Sequence, residues 1–387
     1  MPDAHLQVLP GLEGLSGVTH FALDNDGDIA EAQSPTGDTF MTVFWRSGYP
    51  VGHVLRLADG RERTAMATQP RNAVSSLPRG RTISVVICTR DRPDELRRCL
   101  ASLPQQSLRP DQIIVVDNAS KDERTRQVAE AAGVIYVRED RPGLDYARNT
   151  GASSATADII AYTDDDVLLH PRWLEHLVAA FDEPRIGAVT GLVLPAELAT
   201  PAQRQFESFW SFGQGYDRIE FLSSDFALTA PSQVFPAWKV GAGASMAFRR
   251  EVFERVGLFD ERLDVGQAGC SGDSEFWYRL LANGIDCRYE PTSVAFHFHR
   301  REMDGLAFQI YSYMRGHAAA LMVQHERTGL SCNRRRALWQ MPRWYASRTL
   351  RRLRRGPVAE DVFLKQEIAG FFAGLLFYYR QRGKHGR

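Results

Sequence analysis

The chain has 387 residues, 44% of them apolar and 24% charged, an ordinary globular composition and longer than one hydrophobic core usually organises. Its 47 basic and 47 acidic residues cancel, which removes any global electrostatic reason to bind nucleic acid. Five scattered cysteines with no CxxC pair argue against a disulfide framework or zinc module and fit a reducing compartment.

The N-terminal stretch MPDAHLQVLPGLEG has no basic segment followed by an apolar core, so no secretory leader is expected. Residues 1–80 hold short alternating runs, TFMTVFW and GHVLRL, between Gly, Asp and Pro turns, which predicts a small β-rich module. Within it, DNDGDI (24–29) hints at a calcium loop. Its glycine stands fourth, however, where an EF-hand needs it sixth, and no glutamate closes the loop. A polar turn between strands is the better reading.

From residue 83, apolar runs alternate with helical patterns. ISVVICT (83–89) leads into the helical PDELRRCLASL (93–103), and QIIVVDN (112–118) into the helical ERTRQVAEAAG. A short VIYV, a small-residue helix over 144–155 and the strand DIIAYT (158–163) follow. Continuously apolar, β-branched runs are expected of parallel strands covered on both faces. The alternation predicts an α/β sandwich with its ligand site at the carboxyl ends of the strands. Thr89, Arg90 and Asp91 follow the first strand, Asp117 and Asn118 end the second, and Asp164, Asp165 and Asp166 end a later one. Three adjacent carboxylates repel and resist burial unless a cation compensates. A divalent ion is expected there; a solvated acidic turn is the competing reading.

Beyond residue 305 the pattern is mostly helical. IAGFFAGLLFYY (368–379) is too short to span a bilayer. Its Ile368, Phe371, Phe372, Leu375, Leu376 and Tyr379 fall at helical spacing, a stripe that either packs on the protein or faces a membrane. Between Arg334 and Arg355 stand nine arginines and no acid, interleaved with Trp339, Trp344 and Tyr345. A solvated basic face and attraction to anionic lipid, at about 1 kcal/mol per basic residue, both account for this; RNA binding has no support elsewhere in the chain. The expectation is a soluble or peripheral protein, cytoplasmic, at the inner face of a membrane if peripheral.

Two nucleotide folds drop out. No glycine follows ISVVICT, so the backbone cannot approach a pyrophosphate as in a dinucleotide-binding fold, and GAGAS (241–245) lacks the third glycine and the βαβ unit. No GxxxxGK[ST] loop exists. What remains, in order, are SVVICTRDRPDELRRCLASL, IIVVDNASKD, GLDYARNTGASSATADIIAYTDDDV, GAGASMAFRREVFERVGLFDE and SGDSEFWYRLLANG followed by VAFHFHR. Over roughly 83–300 this series resembles the family-two inverting glycosyltransferases. The resemblance implies a GT-A-type α/β fold, a mixed, mainly parallel sheet between helices, at 81–302. A β-rich extension at 1–80 and a helical, partly basic region at 303–387 flank it.

The same resemblance implies roles for single residues. Asp117 would accept the imide hydrogen of a uracil, or the equivalent edge of another base, with Thr89 and Asp91 lining the nucleoside and Arg148 near the diphosphate. Asp164, Asp165 and Asp166 match the DxD motif: Asp164 and Asp165 on the donor side, Asp166 binding Mn2+ or Mg2+, and His297 completing the metal site. An imidazole ligand tilts the preference toward Mn2+. His297 and His299 alternate along a strand-like segment and so share a face; a hydrogen-bonded structural role competes for each.

Asp273 would be the general base on the acceptor hydroxyl, in competition with a role as helix N-cap. Gly272 stands where many members carry a glutamate, which leaves Asp273 without a paired carboxylate unless Glu275 substitutes. Gly243 and Ser245 would contact the donor sugar or serve packing, as would Trp238 and Trp277. The expected partners are a nucleoside-diphosphate sugar, UDP-linked by preference, a carbohydrate or lipid-linked acceptor and an anionic membrane surface, with no nucleic acid. The expected activity is metal-dependent inverting transfer in envelope polysaccharide or glycolipid synthesis. A catalytically impaired nucleotide-sugar-binding or scaffolding protein is the alternative. A nucleotidyltransferase would need a glycine-rich triphosphate loop, which CTRDRP is not.

Overall fold

The structure is a computed structural model that describes residues 12, 14–23, 37–57, 59–68 and 80–385; the DNDGDI turn lies outside them. Strands β1 (Val18–Leu23), β2 (Met41–Arg46), β3 (Tyr49–Arg56) and β4 (Glu62–Met66) form a four-stranded sheet in that order. This is the β-rich module expected at the N-terminus. Its Met41, Val43, Trp45 and Leu55 share a core with Leu192, Leu194, Val294 and Phe296, so the module packs directly on the larger sheet.

The next segment runs β5 (Ile83–Thr89), α1 (Pro93–Ser102), β6 (Gln112–Asn118), α2 (Arg124–Ala131), β7 (Ile135–Glu139), α3 (Leu144–Ser154) and β8 (Ile159–Asp164). It continues through β9 (Val167–Leu169), α4 (Trp173–Ala179), β10 (Ile186–Pro195), α5 (Pro201–Trp210), β11 (Ile219–Phe221) and α6 (Ser223–Thr229). Strand β12 (Ser245–Arg249), α7 (Glu251–Val256), α8 (Gly272–Ala282) and β13 (Asp286–His297) complete it. The sheet order is β11-β13-β10-β12-β8-β5-β6-β7, with β9 on β13. The half formed by β8, β5, β6 and β7 is parallel, whereas β12 is antiparallel to both neighbours. The architecture is that of a GT-A fold.

Local chemistry explains the parallel half. All seven residues of β5 are buried, as a strand covered on both faces requires. Helix α1 opens with Pro93 and carries Asp94 and Glu95 in its first turn, which suits the unsatisfied N–H groups and positive end of a helix. Helix α3 lies close on the sheet because its residues are small: a Cβ on Gly151 would land inside contact distance of Val86 Cγ1. Register then fixes the site. Thr89 of β5 pairs with Asp117 of β6, and Cys88 with Asp164 of β8, so three polar strand ends stand side by side.

The C-terminal region is helical as expected: α9 (Met303–Thr328), α10 (Ser331–Arg335), α11 (Met341–Arg355) and α12 (Leu364–His385), with a π-helical turn at Arg336–Gln340. Helices α9 and α12 pack at close range, since Cβ atoms on Gly370 and Gly374 would run into the backbone of Tyr311 and Arg315. The apolar stripe of α12 splits in two. Phe371 is buried and Ile368 and Leu375 pack beside it, while Phe372, Leu376 and Tyr379 stay about half exposed. Replacing Gly151 with Val should destabilise the fold by about 1–3 kcal/mol through overpacking against β5, read as a lower urea midpoint with an unchanged slope.

Candidate active site

The strand ends open into a cavity of about 1870 Å³ whose wall includes Thr89, Arg92, Asp164, Asp166, Asp273 and His297. A smaller cavity of about 600 Å³ between α1 and α2 holds none of these groups. Within the large one, ligand atoms of Asp164, Asp166 and His297 all lie within 4.8 Å of one another. Their oxygen and imidazole donors fit a divalent cation of the Mn2+ or Mg2+ kind. Asp164, expected on the donor side, thus also belongs to the group that could hold a metal.

Part of the compensating charge is already present in the protein. Arg92, at the start of α1, donates to Asp165 Oδ1 at 2.7 Å and to Asp166 Oδ2 at 2.9 Å, and Thr89 Oγ1 donates to Asp165 Oδ2 at 2.6 Å. Asp165 is thus committed to the protein, and Thr89 orients it. His297 Nε2 lies 3.2 Å from Asp166 Oδ1. Burial works against the charge on Asp166, but His297 and Arg92 outweigh it and hold the carboxyl well below the usual range. Burial and then the Asp166 charge push Asp164 up to about 6 and Asp165 up to about 7. Burial and mutual repulsion thus raise the proton affinity of Asp164 and Asp165, and a cation bound among these side chains would compete with protons for them.

The imidazole is held from behind. His297 Nδ1 is 2.9 Å from His299 Nδ1, and His299 Nε2 is 3.1 Å from Glu207 Oε2. Burial pushes His299 down, which favours its neutral form, and the Glu207 carboxylate draws its one N–H to Nε2. Its Nδ1 then accepts from His297 Nδ1–H, leaving His297 Nε2 to face Asp166 and the metal group. Burial opposes charge on His297, but Asp166 prevails and raises its pKa. His299 therefore sets the tautomer of His297, the kind of outer hydrogen bond that orients metal-binding histidines.

Asp273 sits in the first turn of α8 and lines the same cavity. Ser271 occupies the cap position without a side-chain cap bond, so Asp273 is not the N-cap. Its Oδ2 accepts from Gly243 N–H at 3.0 Å and its Oδ1 from Ser274 N–H at 2.6 Å. Burial raises its pKa, with Arg148 opposing and Asp264 adding to the rise. Arg148 is buried; its NH1 donates to Asp145 Oδ1 at 2.9 Å and to Asp264 Oδ2 at 2.5 Å. It thus neutralises an acid cluster beneath the site. Asp264 and Ser271 both hold positive φ, 61° and 77°, backbone strain of a kind that clusters at functional sites.

The question raised by Gly272 has a structural answer. A Cβ there would collide with the carboxylate of Asp145, so Asp145 from α3 occupies the space that a side chain at 272 would need. Burial, then Asp264, push Asp145 well up, and the charge of Asp273 adds to this. Glu275 does not serve: it is buried and paired with Arg279 at 2.9 Å and Arg327 at 3.4 Å.

Other expected residues lie off the cavity wall. Asp117 is fully buried and accepts from Ser120 N–H at 3.0 Å, Tyr136 Oη at 2.8 Å and Arg138 NH1 at 3.2 Å. Asp91 accepts from Lys121 N–H at 2.8 Å. Ser245 Oγ accepts from Trp173 Nε1 at 2.9 Å in the core, and Trp277 is wholly buried. Gly243 and Trp238 do line the cavity. The reading from sequence missed Arg92, Asp145, Glu207 and Asp264. Arg92 stood in the polar run after the first strand and Asp145 three residues before Arg148; nothing local marked Glu207 or Asp264.

Residues 84–257 match the family model described as glycosyl transferase family 2. The pre-mycofactocin glycosyltransferase of Mycobacterium tuberculosis is 29% identical over 255 residues, covering 64% of this chain and 49% of that protein. A glucosyl-dolichyl phosphate glucuronosyltransferase of Haloferax volcanii is 27% identical over 191 residues, 46% of this chain and 56% of that one. The chain thus spans about half the length of these curated relatives. Among solved structures, a mannosyltransferase of Pyrobaculum calidifontis, in complex with GDP-Man and Mn2+, superposes with a TM-score of 0.53 at 18% identity, over 81% of this chain and 92% of that one. That likeness fixes the fold as GT-A.

Mn2+ binding should release protons at pH 6–7 and weaken as the pH falls, because His297 and the acid cluster must both deprotonate; calorimetry in buffers of different ionisation enthalpy reads this. Glu207→Gln should weaken Mn2+ about 10-fold without unfolding the chain.

Proposed function

We propose that this chain, which resembles the family-two glycosyltransferases over residues 84–257, moves a sugar from a nucleoside-diphosphate donor to an acceptor hydroxyl with inversion. One observation carries the reading: the group of Asp164, Asp166 and His297 and the carboxylate of Asp273 line a single cavity. Inverting transfer is one in-line displacement. The acceptor oxygen attacks the anomeric carbon, its proton passes to Asp273, and the nucleoside diphosphate leaves with the bonding electron pair. The raised pKa of Asp273 suits a base that must work near neutrality. A divalent cation held by Asp164, Asp166 and His297 would offset the charge gathering on the leaving diphosphate, with the imidazole favouring Mn2+ over Mg2+.

Arg148 keeps fixed positive charge under the site while Asp145 and Asp264 hold it in place. Gly243 orients Asp273 through its N–H. The donor is UDP-linked in this reading. Asp117 would read the uracil only if Tyr136 or Arg138 yields one of its bonds.

The acceptor is a carbohydrate or lipid-linked glycan of envelope polysaccharide or glycolipid synthesis. The glucosyl-dolichyl phosphate in one relative's name supports this, as does the surface of α11. That helix exposes Arg343, Trp344, Leu350, Leu353 and Arg354 together, a pattern suited to an anionic membrane surface. No helix among the described residues is long and apolar enough to cross a membrane.

Asp273→Asn should cut turnover by about 10²-fold or more while leaving Mn2+-dependent nucleotide binding in place. Asp166→Ala should instead remove the Mn2+-dependent part of that binding. Wild-type turnover in the Asp273→Asn protein, measured as nucleoside diphosphate released, would refute the base assignment.

A further inference from the structure

The cavity of about 1870 Å³ is roughly twice the upper range of an ordinary small-ligand pocket, about 1000 Å³. It runs from Asp273 and the metal group to a second wall built by α9, the π turn and α11, where Trp238, His317, Arg336, Trp344 and Arg351 line it. Two short connections tie that wall to Asp273. Gly316, beside His317, packs against the backbone of Cys270, three residues before Asp273. Trp238 opens the segment that reaches Gly243, whose N–H holds the Asp273 carboxylate.

Most arginines at this end are already satisfied. Arg348 pairs with Asp361 at 2.6 Å and Glu367 at 2.7 Å. Arg315 donates to the Gln267 carbonyl at 2.8 Å and lies over the Phe377 ring at 4.7 Å. Arg336 differs: its Nε is buried without a hydrogen-bond partner. A guanidinium cannot shed its charge, and leaving it partly buried without an anion is costly. Arg336 also opens the π-helical turn Arg336–Gln340, a local distortion frequent at functional sites.

The groups around Arg336 suit an anion. Burial and then Arg336 itself lower the pKa of His317 to about 4, so its neutral ring offers one N–H to an anion and brings no negative charge of its own. The ring of Trp238 meets His317 edge-on with centroids 5.2 Å apart, and Trp238 is 39% exposed, leaving an aromatic face for a sugar or an apolar chain.

We propose that Arg336, with His317 and Trp238, forms an acceptor subsite for a phosphoryl group, so that the molecule extended by this chain is a phosphorylated sugar or lipid-phosphate glycan. The assignment rests on the transferase reading, since it takes the second half of the cavity as the acceptor's. The shared chemistry is a phosphate monoester or diester next to an apolar or aromatic-stacking moiety.

The test titrates full-length protein with three probes: glucose 1-phosphate, decyl phosphate below its micellar concentration, and uncharged decyl glucoside. At least one phosphate should bind wild type, and Arg336→Gln should weaken it about 10-fold or more, the size expected for a lost charge-assisted hydrogen bond. Arg336→Lys should retain most of the affinity, and decyl glucoside should not distinguish the proteins. Stronger binding of decyl phosphate would assign the lipid source; stronger binding of glucose 1-phosphate would assign the soluble one. UDP and GDP with Mn2+ are titrated in parallel. Their failure to bind wild type would count against the transferase reading, whereas intact nucleotide binding in Arg336→Gln also certifies its fold. Neither phosphate binding wild type, or equal phosphate affinity in wild type and Arg336→Gln, overturns the subsite.

Discussion

Mutual repulsion among Asp164, Asp165 and Asp166, at the end of a strand whose other residues are buried, is the constraint from which the rest of the site follows. The fold answers it from two directions. Helix α1 brings Arg92 onto Asp165 and Asp166, and β13 brings His297 onto Asp166. The pairing leaves negative charge in excess, and Asp164 is the carboxylate that Arg92 does not hold. That excess is the charge a cation bound beside Asp164, Asp166 and His297 would offset. The chain His297–His299–Glu207 serves the same end by presenting Nε2 to the cluster.

A second balance lies deeper. Arg148 is enclosed by α3 and the Asp264 turn, and the acids around it outnumber it. Asp145, Asp264 and Asp273 all bear on this one guanidinium; burial, and then the charge of Asp264, raise the proton affinity of Asp273 against the opposing pull of Arg148. Arg148, expected near a diphosphate, lines the cavity and is paired with Asp145 and Asp264. It sets the electrostatics beneath the candidate base. Gly272 belongs to the same arrangement, because its missing side chain makes room for the carboxylate of Asp145.

Strands β5, β6 and β8 were legible because continuous β-branched runs have few other uses, and their polar ends followed from where those runs stop. Asp164, Asp166, His297 and Asp273 stood out because ordered motifs carry them, and all four line one cavity. Arg92 was visible in the sequence, but its partner was not. Any arginine in TRDRP could have faced solvent, and only the start of α1 beside β8 turns it onto the acids. Glu207 and Asp264 lie far along the chain from the residues they serve, and pairings made by tertiary packing leave no periodic trace. The same limit applied to Asp117, where Tyr136 and Arg138 from the neighbouring strand β7 claim the carboxylate. It applied also to the stripe on α12, half of which packs while half remains outside.

The central claim is that the carboxylate cluster and His297 constitute a divalent-cation site. Crystals grown with Mn2+ and a nucleoside diphosphate, with data collected above the manganese absorption edge, test it most directly. The account predicts an anomalous peak within bonding distance of Asp164, Asp166 and His297 Nε2, with Asp165 still held by Arg92. A map with nucleotide bound but no peak between those three side chains, or with the peak elsewhere in the cavity, would contradict it.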